Sequence, residues 1–368
     1  MDFSIFSREI EKTGFVLENR VASELKQASW TVISNKYYVD DVEENVREID
    51  ILAYKVSKVQ HFDVYTVLII SCKKSDENAW ALLTRKINLK DPNSDWWPVH
   101  AWSNDKALSY QLEIPGKPQK YHESIANLGV KHILDTPSVE VFAFQEMNKK
   151  TGKPQNDKPI FSAITSLVKA QAYEMAALPL RKKSPSVYQF NLLSIADTDL
   201  IRLMFDGNKI EAAPIDAEHY LARYIVKKRE IFARIRFIKI DSLQESLKSY
   251  SQLHDANCKW ITTECDSFFS GIENDHNRMN VYAKDFLNAI KWQINWRIRS
   301  KFSKQVALDD ASFIWMETEK TLNIYLSGLE EDEAKFLNEC DDIGKETKKA
   351  LKKFYRYTGD FTFTDFPF

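Results

Sequence analysis

Glycine and proline are scarce, 9 and 11 among 368 residues, so flexible linkers and Gly- or Pro-rich low-complexity segments are excluded. Cysteine is scarcer still. Cys72, Cys258, Cys265 and Cys340 show no disulfide-framework spacing, which fits a reducing cytoplasm and leads us to expect a cytoplasmic protein. No apolar run approaches the ~20 residues of a membrane span. The start, Met1 to Ile10, is charged and lacks the apolar core of a signal peptide. Neither charge sign dominates: 51 basic residues against 53 acidic give a net charge of −2 and a pI near 6.4. Any contact with a polyanion must therefore come from local patches. What remains is an apolar fraction of 44% with 28% charged, ordinary for a globular chain of one large or two medium domains.

The chain is organised around two stretches, Arg47-Glu48-Ile49-Asp50-Ile51-Leu52-Ala53-Tyr54 and Val67-Leu68-Ile69-Ile70-Ser71-Cys72-Lys73-Lys74-Ser75. Both are β-branched, aromatic and apolar, the signature of strands. Alternation puts Ser71 and Lys73 on the same face as Val67 and Ile69, and Cys72 on the other. Paired as a hairpin, the strands would bring Asp50 within a few ångströms of Lys73. A carboxylate able to hold a divalent cation, beside an ammonium able to orient water, suits metal-assisted phosphodiester hydrolysis.

A helix is expected over residues 14 to 29, with Leu17, Val21, Leu25 and Ala28 in one stripe and Glu18 and Glu24 on its edges. Taken alone, a helix-edge glutamate is a solvated charge. The order Gly14-Phe15-Val16-Leu17-Glu18, Arg47-Glu48-Ile49-Asp50, Cys72-Lys73-Lys74-Ser75 resembles the core of the PD-(D/E)XK, or restriction-endonuclease-like, nucleases. The resemblance covers roughly the first eighty residues well. It implies an α/β fold, a restriction-endonuclease-like mixed central sheet flanked by helices. It also implies Mg²⁺ (or Mn²⁺) held by Asp50, Glu18 and the backbone carbonyl of Cys72, with Lys73 orienting the attacking water. The family carries Glu, Asp or Gln where this chain has Ser71, whose hydroxyl would assist at second hand. Asp76, Glu77 and Glu18 are the nearest substitute carboxylates.

Beyond the core, Trp80, Trp96, Trp97, Trp102 and Tyr110 lie beside Lys86, Lys90, Lys106 and Lys117, and an aromatic core is favoured over a base-stacking surface. Strands are expected over 139–145, 187–195, 199–205, 220–226 and 231–240, the later ones as a β extension of the same sheet. Helices are expected over 161–178, with Gln171 facing inward, and over 243–253. Arg181-Lys182-Lys183-Ser184 is a short basic loop. Arg234 and Arg236 share a strand face that is read as a solvated edge. His254, Cys258, Cys265 and His276 have zinc-ligand types without knuckle spacing. From about 275 the chain is helical. Trp292 and Trp296 lie opposite an apolar stripe, so the helix is expected to be sandwiched, with a basic stretch, 296 to 304, as a nucleic-acid candidate. A basic helix over 344–357 faces the acidic run Glu330 to Glu333, which it would complement. The end, Phe361 to Phe368, alternates like a docked strand and only faintly resembles an acidic Pro-Phe tail.

These features place a nuclease-like core with its β extension at 1–255 and a mainly helical region at 256–368. The expected function is a divalent-metal-dependent endonuclease acting on nucleic acid, DNA in the first instance, in restriction or antiviral defence against foreign DNA. The alternative is a catalytically lapsed module that binds nucleic acid or regulates a partner. No membrane partner is expected, and a homodimer or a protein partner stays open.

Overall fold

Leu17, Val21 and Leu25 recur at helical spacing and are the buried stripe of a helix over Gly14–Gln27 (α2), which follows a short exposed helix over Ser4–Ile10 (α1). The computed structural model describes residues 3–40, 45–130, 132–226 and 228–365. It divides into two compact units, Met1–Asp105 with Ile114–Thr262 and Lys106–Glu113 with Thr263–Phe368. Contiguous reading of the sequence placed the division at 255/256. Among the described residues no helix is long and apolar enough to cross a membrane.

In the first unit the chain continues through strands β1 (Thr31–Val39), β2 (Val46–Val59), β3 (Phe62–Lys74), β4 (Asn78–Lys86) and β5 (His100–Ser103). The segment Lys106–Glu113 (α3) belongs to the second unit. Helix α4 (Lys117–Asn127), strand β6 (Val139–Asn148) and helix α5 (Lys158–Arg181) follow. Then come β7 (Ser186–Asp197), β8 (Leu200–Asp206), β9 (Lys209–Ile215), β10 (Ala217–Val226), β11 (Arg229–Lys239) and the long helix α6 (Leu243–Phe269), within which the division falls.

The main sheet has the order β1-β2-β3-β7-β11-β10, with β5 alongside β7. It is mixed: β3–β7 and β7–β11 are parallel, β1–β2–β3 and β10–β11 antiparallel. β3 and β7 are apolar because they lie inside the sheet with both faces covered. Ile164, Leu167 and Val168 of α5 pack on Val67, Ile69, Phe190 and Leu192. The alternate residues meet α6 through polar contacts: His254 Nδ1 lies 3.0 Å from Thr66 Oγ1, and the Asn257 amide donates to the same hydroxyl at 2.9 Å. The architecture is thus α/β, with mixed sheets flanked by helices.

The expected β extension is split between two sheets. β10 and β11 do continue the main sheet, whereas β8 and the unforeseen β9 join β4 and β6 in a separate sheet of order β6-β4-β8-β9. Trp80 and Trp96 are buried, in keeping with the aromatic-core expectation. Arg234 corrects the solvated-edge reading. β11 is an interior strand, and the Arg234 guanidinium is buried, donating to the carbonyls of Asp135 (2.8 Å) and Trp96 (2.9 Å). Gln171, the candidate to reach the site from α5, is buried and donates to Met175 Sδ.

The second unit contains α3, the end of α6, α7 (His276–Asn280), α8 (Ala283–Phe302), β12 (Ala311–Met316), β13 (Thr321–Leu326), α9 (Glu331–Glu339), α10 (Asp341–Tyr355) and β14 (Asp360–Thr364). Helices dominate, but a three-stranded sheet, β12-β13-β14, is added to the expected helical region. Ile290, Ile294 and Ile298 of α8 share a core with Phe313, Ile324, Leu351 and Tyr355. Helix α3 belongs here because Ala107 enters this core and Tyr110 stands edge-on to Phe268. The acidic run does not complement the basic helix. Glu330 and Glu333 form a capping box at the start of α9 and pair with Lys304. β14 is the strand expected near the end of the chain; Phe366 to Phe368, on which the tail reading turned, lie outside the described residues, as do Met1 and the turn residues Asp41, Glu43 and Glu44.

Buried charges in the first unit are held by ion pairs. Asp40, 1% exposed, takes Arg47 at 2.7 Å and Lys169 at 2.6 Å. Glu174 takes Lys36 at 2.8 Å and Arg181 at 3.0 Å. Removing one partner of such a pair leaves the other desolvated, so Asp40→Asn should lower unfolding free energy by about 3 kcal/mol. The variant Asp40→Asn with Lys169→Met should recover part of that loss. Urea unfolding measures both, and an unchanged midpoint for Asp40→Asn would remove the ion-pair account.

Candidate functional site

β2 and β3 run antiparallel with Ile51 opposite Ile70, and the ladder stops there, one residue short of Asp50. Beyond that point β3 stays bonded to β7 on its other side, Ser71 opposite Ser194 and Lys73 opposite Ala196. The β2-facing edge of β3 has therefore lost its strand partner at Ser71 and Cys72. A buried backbone donor needs an acceptor. Here the acceptor is a side chain: the Cys72 N–H donates to Asp50 Oδ2 at 2.7 Å. The Ser71 hydroxyl donates to the same oxygen at 3.2 Å, and Lys73 Nζ lies 3.8 Å from it. Among the described residues, the hydrogen bonds and ion pair of Asp50 all fall on Oδ2, which leaves Oδ1 for another partner.

Burial grades outward along β3. Ser71 is 3% exposed and Cys72 5%, while the side chains of Lys73 and Asp50 are 29% and 22% exposed. The charged pair thus sits where the buried strand meets solvent. Glu18 reaches the same place from α2. Its pKa is raised by burial, then by the anions of Asp50 and Glu48, and Lys73 only partly offsets this. The Cys72 thiol is pushed well above its usual range by burial, then by Asp50 and Glu18, and stays protonated. Glu18, Asp50, Ser71, Cys72 and Lys73 are thus all brought together.

The other candidates lie apart from this centre. Asp76 is exposed and pairs with Lys74 at 3.8 Å, and Glu77 is exposed, its carbonyl taken by the Lys149 N–H. The carboxylate that sequence reasoning gave no role is Glu48. Its signal was present, since it stands two residues before Asp50 on the same strand face. The zinc-like set is divided among local partners: His254 lies 2.8 Å from Ser57 Oγ, Cys265 accepts from Arg356, and His276 Nε2 meets the Asn280 amide. A further polar concentration surrounds a cavity of about 20 Å³ lined by His100, His122, His219, Arg234 and Arg236. Burial drives the imidazoles of His100 and His122 down to about 4, so both are neutral at neutral pH.

No protein-family model, curated protein or solved structure matches the chain, so the geometry of the site alone bears on its chemistry.

Between its ordinary and its raised pKa, Glu18 binds a proton more tightly in the folded state than in the unfolded chain, so its contribution to stability falls as pH rises through that window. Glu18→Gln removes that penalty. At about pH 7 the variant should withstand at least as much urea as the wild type, with the gap closing in acid below the ordinary glutamate range. A variant that unfolds earlier at neutral pH would instead place Glu18 in a net-stabilising ion pair.

Proposed function

We propose that the chain is a divalent-metal-dependent nuclease of the PD-(D/E)XK kind, hydrolysing phosphodiester bonds of nucleic acid, DNA in the first instance. The supporting observation is the cluster at the mouth of β2 and β3: an ammonium 3.8 Å from a carboxylate that two neighbouring donors hold in place. Oxygen donors suit Mg²⁺ or Mn²⁺. Asp50, through Oδ1, and Glu18 are the side chains to hold it, with Glu48 near enough to feel the same field. The fit is electrostatic: Glu18 is raised by burial and then by the anions of Asp50 and Glu48, and a dication would relieve both. When bound, such an ion would polarise a phosphoryl oxygen and lower the pKa of a bound water.

The chain's own residues have separate tasks. Asp50 is fixed by the Cys72 N–H, so its orientation comes with the fold. Ser71 donates to Asp50 and acts as a positioning residue, since a neutral hydroxyl cannot replace an anionic ligand. Lys73, partly exposed, can donate to water or to a non-bridging phosphate oxygen. Ser71 also favours a second reading, a lapsed module that binds nucleic acid without cutting it. A role in restriction or defence against foreign DNA belongs to the same proposal.

Plasmid and single-stranded DNA incubated with Mg²⁺ or Mn²⁺ test it. Cleavage should fall by about 100-fold or more in Lys73→Ala and in Asp50→Asn. Ser71→Ala loses one hydrogen bond and should cost about tenfold. No cutting by the wild type, with salt-sensitive DNA binding retained, selects the lapsed module. Cutting that survives both Lys73→Ala and Asp50→Asn would rule out this centre.

A further inference from the structure

Helix α8 buries Ile290, Ile294 and Ile298, and the sandwich expected for its other face does not form: Trp292 is 75% exposed and Trp296 53%. Large aromatic area held in water marks a contact surface. The two indoles line an open groove of about 550 Å³, whose other wall is α10 with Lys345, Lys348 and Lys349. The acids at its rim are neutralised locally, Asp342 by Arg297 at 2.6 Å and Glu346 by Lys349 at 2.5 Å. Lys345 and Lys348 are exposed and make no ion pair among the described residues. Across α8 and α10 there are ten basic residues against four acidic, in a chain whose net charge is −2. The groove itself presents Lys345, Lys348 and Lys349 against Asp342 and Glu346.

We infer that this α8–α10 groove binds single-stranded nucleic acid, with bases stacked on Trp292 and Trp296 and phosphates against Lys345 and Lys348. Four residues of helix set the Trp292 and Trp296 positions about 6 Å apart along the axis. That is nearly twice the base spacing of about 3.4 Å, so one flat base can lie between them. An acidic peptide would satisfy the lysines but offers the indoles nothing to stack on. Duplex DNA hides its base faces, so the groove selects the unpaired strand. The inference rests on the second unit alone and stands whether or not the Asp50–Lys73 centre cuts.

The test titrates the full chain with a fluorescein-labelled deoxythymidine oligomer in EDTA, which stops cleavage, and repeats it with a uridine oligomer, a duplex and polyglutamate. Tryptophan fluorescence should be quenched by either single strand, and binding should weaken steeply with salt. Trp292→Ala with Trp296→Ala should weaken binding by about 30-fold or more. Lys345→Glu with Lys348→Glu should lower the salt slope by about 1.4, at about 0.7 per phosphate contact on a single strand. Both indoles are exposed, and circular dichroism verifies that the variants fold. The titration in EDTA reads binding through indoles of the second unit and does not depend on cleavage, which separates failure here from failure of the catalytic proposal. Unchanged affinity in the tryptophan variant, equal binding of duplex or polyglutamate, or no binding of either oligomer overturns the inference.

Discussion

The bond from the Cys72 N–H to Asp50 fixes where the main sheet stops being a sheet. Up to Ile51 and Ile70 the backbone satisfies itself, strand to strand. One residue later β2 no longer supplies an acceptor, and a carboxylate takes that place. The rest of the site depends on that exchange. β3 cannot drift, because β7 holds it through Lys74, opposite Asp197. Asp50 cannot rotate away without leaving a buried donor orphaned, at a cost of about 1–3 kcal/mol. Lys73, on the same strand face as Ser71, is then beside Asp50 by geometry.

This centre differs electrically from the other partly or fully buried acids of the first unit. Asp40, Glu174 and Glu218 are each matched by basic side chains, Glu218 by Arg202. Glu146 takes the Trp80 indole N–H. These charges are locally compensated, and they hold elements together. Around Asp50 the anions gather instead. Glu18 is pushed upward by burial and by its acidic neighbours, whereas the shifts resolved for Asp199, Asp275 and Asp342 are all downward. The carboxylates around Asp50 thus stay uncompensated enough to raise Glu18, where the other acids are paired.

The strands carrying the centre were legible because burial on both faces leaves an unbroken apolar run, and Val67 to Ile70 is one. Alternation alone put Ser71 and Lys73 on one face. Three things were not legible. The second sheet depends on β4 meeting β8, a parallel pairing between strands more than a hundred residues apart that no local pattern specifies. Helix α3 joins the second unit through Ala107 and Tyr110, a tertiary choice invisible in its own sequence. Arg234 carries the letter of a surface residue, yet two carbonyls in the fold satisfy it inside. The strands β12 and β13 did carry a signal, since Phe313, Leu322 and Ile324 fall at alternate positions, but six residues are too few to stand out among helices.

Ser71 suits its place on physical grounds. A carboxylate there would face Asp50 Oδ2, adding an anion beside a glutamate whose pKa is already raised and removing the hydroxyl donor at 3.2 Å. Serine instead donates to Asp50 Oδ2 from a position that is 3% exposed. Glu18 and Glu48 already bring acid to the cluster from α2 and from β2. The Ser71 hydroxyl and the Cys72 N–H are the two donors that hold Asp50 Oδ2. Ser71 thus adds a second, longer hydrogen bond to the carboxylate that the Cys72 N–H already fixes.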